Sequence, residues 1–273
     1  MNVTTTSPNI SSSSYLSSSS ETEWELMPEP DISEVVIEDE QPVDNLISEK
    51  QQRLLTSSAY SSLNVEIPFL VTANVGLFYA EKKPPLVPDV MLSLKVKCPE
   101  DWSQKKNRSY FTWNFGKSPE IAIEIVSNKV GNELGSKFKN YLDAGVDYYV
   151  IFDPLKYLSK NVLQVYKKQV SSYQLQEDYW LEAVNLGLTL WSGEFEGQFY
   201  QQWLRWCDKS GNILLTGDEK FELEKQRAET EKQRAETEKQ RAETEKQRAE
   251  TEKQRADHLA QILREQGIDP DLI

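Results

Sequence analysis

The heptad EKQRAET occurs four times in tandem from Glu224 to Thr251 and is followed by the variant EKQRADH. A seven-residue period built from strong helix formers dictates one long helix. Each heptad supplies a single small apolar residue (Ala228, Ala235, Ala242, Ala249, Ala256), whereas a well-packed coiled-coil seam needs two large ones. This segment therefore cannot provide a core. Lys225 and Glu229 lie four apart, as do Arg227 and Glu231, and such pairs contribute a few tenths of a kcal/mol each to a solvated helix. From Phe221 to Arg264 it would reach roughly 66 Å at 1.5 Å per residue. The helix is either a solvated spacer or a loose coiled coil that assembles a homo-oligomer. Beyond it, "LAQILREQGIDPD" brings Leu259, Ile262 and Leu263, then Gly267 and Pro270 as stop signals; this end reads as a short docking or oligomerisation cap.

The other end is equally poor in core material. Residues 1 to 43 are rich in serine and threonine and then acidic, a composition that cannot bury enough apolar surface to order itself; we expect disorder there. There is no basic stretch followed by an apolar one, and no apolar run long enough for a bilayer, so we expect a cytoplasmic protein with no membrane partner. Cys98 and Cys207 form no CxxC pair, which fits two reduced thiols. The net charge of -13 is unevenly spread: residues 1 to 50 carry 11 acids and 1 base, residues 51 to 222 carry 20 and 19, and the rest 13 and 11. A nearly neutral centre can still present a local basic face, so bulk charge leaves nucleic acid open as a partner.

The core must come from the middle, which alternates strand and helix patterns. "SEKQQRLLTSSAYSSL" reads as a helix with Ser48 a possible N-cap, and "FLVTANVGLFY", "LVPDVMLSLKV" and "EIAIEIVS" read as strands. In "GNELGSKFKNYLDAG", Leu134, Phe138, Tyr141 and Leu142 recur at helical spacing and Gly145 stands at the C-cap position. "YYVIF" is a strand again, so residues 121 to 152 predict a parallel strand–helix–strand crossover. We expect three parts: a tail over 1–43, a single α/β domain with a mixed sheet over 45–218, and a heptad-repeat helix with a short cap over 219–273.

Within "IAIEIVS", alternation puts Ile121, Ile123 and Ile125 on one face and Ala122, Glu124 and Val126 on the other. A glutamate in so apolar a strand needs a partner, because an unpaired buried charge costs several kcal/mol. Asp89 sits in a similar setting, between Pro88 and Val90. Two carboxylates on neighbouring strands repel unless something positive joins them, and hard oxygen ligands suit Mg²⁺ or Mn²⁺. Lys137, four residues after Glu133 on the following helix, can return its ammonium toward them. Each feature has a plainer account: Asp89 as a turn cap after proline, Glu124 salt-bridged to Lys137 without metal, Glu133 and Lys137 as an exposed ion pair. Tyr141 reads as core, Asp153 as a turn residue, and the tryptophans as packing rather than base-stacking platforms. The only histidine, His258, lies in the repeat helix, and there is no GxGxxG or GxxxxGK[ST]; serine–histidine, cysteine–histidine and histidine–zinc chemistry, dinucleotide binding and a P-loop are thereby excluded or unsupported.

"PDV" at 88–90, "IEIVS" at 123–127, "NELGSKFKNYLDAGVDYYVIFDP" at 132–154, and "WLRWCDKSGNILLT" with the repeat helix and "LREQGIDPD" together resemble the Uma family. These are bacterial proteins described as restriction endonucleases of the PD-(D/E)XK nuclease superfamily, and the resemblance runs over roughly residues 45 to 273. It implies a restriction-endonuclease-like core, DNA as partner, and Mg²⁺ or Mn²⁺ held by Asp89 and Glu124. The lysine departs from the superfamily pattern: Val126 stands where E-x-K would place it. Lys137, one turn before Tyr141, is its apparent replacement, with Lys129 the competitor. The implied function is metal-dependent endonucleolytic hydrolysis of DNA by Asp89, Glu124 and Lys137. The alternative is an inactive nuclease fold that binds nucleic acid or protein and assembles through its C-terminal helix. The acidic tail is a candidate DNA mimic shielding the groove; unchanged DNA affinity after removal of residues 1–43 would exclude that.

Overall fold

In the computed structural model the described residues are 31, 45–127, 133–267 and 269. Apart from Asp31, the tail expectation falls outside them, and so do Lys129 and Pro270. In chain order the elements are α1 (Leu46–Ser62), β1 (Phe69–Ala73), β2 (Leu77–Phe78), β3 (Val90–Leu94), β4 (Tyr110–Phe111), α2 (Thr112–Phe115), β5 (Ile121–Ile125), α3 (Ser136–Asp143), β6 (Tyr148–Phe152), β7 (Leu163–Lys168), β8 (Tyr173–Leu175), β9 (Trp180–Leu181), β10 (Leu186–Phe195), β11 (Gln198–Cys207) and α4 (Gly217–Glu265).

The principal sheet has the order β1-β3-β5-β6-β7-β8. In it β5 and β6 run parallel, as the crossover pattern predicts, and the other neighbours pair antiparallel. The fold is mixed α/β with a mixed sheet and a long C-terminal helix. The alternation read from "IAIEI" separates two cores: Ile121, Ile123 and Ile125 pack with Leu55 and Ala59 of α1 and with Leu204 and Trp206, while Ala122 and Val126 join Tyr141, Tyr149 and Ile151 on the opposite face. All five residues of β5 are buried, which explains a nearly continuous apolar run with one polar interruption.

Three local expectations are corrected. Asn45, not Ser48, caps α1, its side chain accepting from the Ile47 and Ser48 amides at 3.0 Å; Ser48 instead lies buried in the first turn. "FLVTANVGLFY" is two strands, because Asn74 adopts φ 53° between β1 and β2, a left-handed conformation that asparagine tolerates better than most residues. Leu134 lies ahead of α3 and is 48% exposed, so the apolar stripe begins at Phe138. The predicted stop holds: Gly145 takes φ +82°, its amide bonding Leu142 O and the Val146 amide bonding Tyr141 O, the double bond pattern of a Schellman end.

Trp203 and Trp206 are fully buried, their indole N–H groups donating to Gly193 O at 3.1 Å and Leu55 O at 2.9 Å, in keeping with the packing expectation, whereas Trp102 is 65% exposed, belongs to neither core and corrects it. Helix α4 has 49 residues, about 74 Å at 1.5 Å per residue. Its repeats are exposed all round, and each threonine of the EKQRAET copies returns its hydroxyl to the carbonyl four residues earlier at 2.8 Å. That satisfies a side chain which would otherwise compete for backbone groups. The helix starts in a capping box between Thr216 and Glu219.

Candidate functional site

Glu124 points from β5 toward α3 and is 3% exposed. Both of its oxygens are occupied: Oε1 accepts from the Tyr141 hydroxyl at 2.5 Å and Oε2 from Lys137 Nζ at 2.8 Å. Lys137 and Tyr141 are four apart, hence on one face of α3, and this places a cation and a neutral donor over one carboxylate. Lys137 Nζ also lies 3.6 Å from Glu133 Oε1. Glu133 is itself buried, its Oε2 without a protein hydrogen-bond partner among the described residues, and its backbone carbonyl accepts from the Tyr149 hydroxyl at 3.0 Å.

Asp89 arrives from the neighbouring strand. The β3–β5 register pairs Val90 with Ile123, so the next step back along the ladder sets Asp89 opposite Glu124. Its Oδ2 accepts from the Ile125 amide at 2.6 Å, and its Oδ1 from Gln52 Nε2 at 3.0 Å. Gln52 is fixed in turn, its Oε1 accepting from Asn74 Nδ2 at 2.9 Å. Asp89 thus reaches across to β5 and α1 instead of only capping the turn after Pro88. The structure brings together Asp89, Glu124 and Lys137, and Glu133 with them. Asp153 does not join them: its buried carboxylate accepts from the amides of Tyr157 (2.8 Å), Leu158 (2.7 Å) and Ser159 (3.2 Å), the turn role read from the sequence.

No motif in the sequence marks Gln52 or Asn74 as site residues, and Tyr141 reads there as core. One signal was present for Gln52: Ser48, Gln52, Leu55 and Ala59 recur at i, i+4, i+7 and i+11, and all four are buried. A glutamine on a buried stripe calls for a polar partner inside.

Burial is the largest influence on Glu124 and raises its pKa above the usual carboxylate value; the Lys137 cation and the hydrogen bonds from Lys137 and Tyr141 pull it down, and Glu133 pushes it up. For Lys137, burial favours the neutral amine, but Glu124, Glu133 and Asp89 together outweigh it and leave the pKa raised. The ammonium therefore persists at neutral pH. Because Tyr141 is the neutral donor to a buried carboxylate, Tyr141→Phe is expected to cost about 1–3 kcal/mol in chemical unfolding. The same change should raise the Glu124 pKa further and move the acid limb of any activity to higher pH.

The donors offered to a metal are carboxylate oxygens, with one buried and unpartnered at Glu133. Among the described residues no three such groups converge as a ready cage. Mg²⁺ needs none: it is usually held by one or two carboxylates together with waters and substrate phosphate. The residues fit an ion of that kind.

The sequence profile described as "Uma2: Putative restriction endonuclease" matches residues 32–199. The match starts inside the acidic segment and ends before the repeat helix, so it does not extend to residue 273 as the resemblance in the sequence does. Among solved structures, the chain is similar to a putative nuclease belonging to DUF820 from Anabaena variabilis, at 14% identity and a TM-score of 0.37, covering 56% of this chain and 75% of that one. So low a score leaves the assignment to the profile. No curated protein matches. Since the matched span takes in more than half of the chain, the protein belongs to the Uma2 family of restriction-endonuclease-like proteins.

Proposed function

We propose that residues 45–218 form a metal-dependent endonuclease that hydrolyses DNA phosphodiester bonds, with Asp89 and Glu124 as ligands to Mg²⁺ or Mn²⁺ and Lys137 beside them. The observation that carries this reading is two buried carboxylates set side by side on neighbouring antiparallel strands, Asp89 held by Gln52 of α1 and the Ile125 amide of β5, and Glu124 held by the Lys137 ammonium and Tyr141 hydroxyl of α3. A bound divalent ion would supply an acidified water and offset charge on a phosphoryl oxygen. The chain supplies the rest. Gln52 and the Ile125 amide orient Asp89, and Tyr141 orients Glu124. Lys137, with 39% of its side chain exposed, is placed to hydrogen-bond the attacking water or the charge that develops on the phosphate. Glu133, already 3.6 Å from Lys137 Nζ, gives the ammonium a second carboxylate when Glu124 turns to an ion.

One observation favours the silent alternative, an interaction module with a nuclease fold: the Glu124–Lys137 pair at 2.8 Å already neutralises the buried carboxylate. The two readings separate on metal binding. Mg²⁺ or Mn²⁺ at a hundred times its dissociation constant should stabilise the wild type by about 2.7 kcal/mol. That corresponds to a melting shift of roughly 5–10 °C for a protein this size. Asp89→Asn and Glu124→Gln should abolish the shift. If the wild type itself shows no shift and no heat of binding by calorimetry, the silent reading prevails.

A further inference from the structure

The sheet face that carries Asp89 and Glu124 continues beyond them. Thr72 is registered with Met91, and Met91 with Ala122; by strand alternation Thr72, Met91, Asp89 and Glu124 share one side. Here the face opens into a cavity of about 490 Å³, within the range of small-molecule sites. Leu70, Thr72 and Met91 line it from the sheet, and the loop from Cys98 to Tyr110 lines it opposite. Met91 is two residues along the chain from Asp89, about 7 Å at strand rise. The cavity is a near neighbour of the proposed chemistry.

Four features say what the cavity is built to take. The first is aromatic surface. Tyr110 and Phe115 stack in its wall with centroids 4.3 Å apart and planes at 9°. Trp102, also in the lining, is 65% exposed and belongs to neither hydrophobic core. The second is rigidity: the Trp102 indole N–H donates to Pro99 O at 2.5 Å, Asp101 ties Ser103 and Gln104, and Arg108 Nε donates to Trp102 O at 3.0 Å. An exposed indole held in place without contributing to the core suits a ligand better than it suits folding. The third is a polar handle, Thr72 Oγ1, buried and without a protein hydrogen-bond partner among the described residues. The fourth is charge: residues 95 to 108 carry five bases against two acids, within a 51–222 stretch of 20 acids and 19 bases.

A flat aromatic body with a polar edge, tethered to a polyanion, is the chemistry these groups match. We propose that the cavity receives a nucleobase turned out of the DNA whose backbone lies at Asp89 and Glu124. This rests on the nuclease reading and adds to it a base-binding subsite. Trp102 supplies the stacking platform, which is tolerant of base identity, Thr72 hydrogen-bonds the base edge, and the basic loop engages the flanking phosphates.

Turning out a base is least costly when it is already unpaired, so the affinity difference between two duplexes tests the assignment. Fluorescence anisotropy of the full chain, without added divalent ion so that the strands stay intact, is measured on a fully paired duplex and on one with a single mismatched base. The wild type should bind the mismatched duplex at least tenfold more tightly. Trp102→Ala, at an exposed position, and Thr72→Val, of nearly the same shape, should bring the two affinities within twofold by weakening binding of the mismatched duplex. Equal wild-type affinities, or a preference that survives both substitutions, would overturn the subsite and leave the nuclease reading standing. Failure to bind either duplex would overturn both.

Discussion

Glu124→Gln abolishes plasmid nicking and leaves a protein at least as stable as the wild type: that is the expected result with the largest effect. On the proposed ligand role, losing this carboxylate removes several kcal/mol of transition-state stabilisation. At 1.36 kcal/mol per tenfold, about 4 kcal/mol corresponds to a rate loss of roughly 10³. Asp89→Asn should match it, and the double variant should be scarcely worse than either, since groups that act as a unit are not additive. Stability should move the other way. Burial raises the Glu124 pKa, so the native state holds its proton more tightly than the unfolded chain does. The wild type is therefore at its best, relative to glutamine, below the ordinary carboxylate range, and it loses ground as pH rises through the folded pKa. Glutamine keeps an acceptor for the Tyr141 hydroxyl and carries no charge to bury. Melting curves at pH 4 and pH 8 should show Glu124→Gln gaining a few degrees on the wild type over that interval. A variant that melts lower at both, with a gap that does not change, would mean that the ionised carboxylate is not a burden on the fold.

The second large effect is structural and lies at the root of α4. Arg205 is fully buried and holds Glu219 through two bonds, Nη1 to Oε1 at 2.9 Å and Nη2 to Oε2 at 2.7 Å. Nη2 also donates to Leu214 O at 2.7 Å, and the guanidinium sits 4.8 Å from the Trp191 ring. Removing the carboxylate alone strands a buried cation. Glu219→Ala is expected to cost about 3 kcal/mol, the lower end for a broken buried pair, because the Glu219 side chain is 28% exposed and water can reach the gap. Arg205→Met should cost less, since it leaves the partner that can be hydrated. The pH dependence has a definite sign. Burial works to raise the Glu219 pKa, but the Arg205 and Thr216 bonds prevail and lower it. Its contribution is therefore present above the ordinary carboxylate range and is lost as pH falls through the folded pKa. Urea unfolding at pH 7 and pH 3.5 should show the difference between wild type and Glu219→Ala shrinking in acid. A constant difference would remove the ion pair as its cause.

How far the sequence foretold this arrangement depended on the range of the interaction. Features set by neighbours in the chain were readable: the two faces of β5, the stripe of Phe138, Tyr141 and Leu142 ending at Gly145, and the repeat helix all follow from periodicities of two, 3.6 and seven. The pairing of Glu124 with Lys137 was one of the open alternatives, because helix spacing sets which side a lysine emerges from but not what lies beneath it. Partners chosen across the fold left no periodic trace. Gln52 reaches Asp89 from 37 residues away, and the stripe that correctly buries Tyr141 says nothing of where its hydroxyl points. The break at Asn74 was hidden for another reason: a single left-handed residue divides a strand without changing the apolar pattern on either side.

The identity of the EKQRAET copies gives the long helix a property that irregular helices lack. Each copy advances the axis by about 10.5 Å and turns the surface back by only about 20°. Gain or loss of one copy would therefore move whatever the far end carries by a fixed step and leave its facing nearly the same, with the clasp of Arg205 on Glu219 undisturbed. The helix is graduated like a ruler: its zero mark is set in the folded body, and its reading is a copy number.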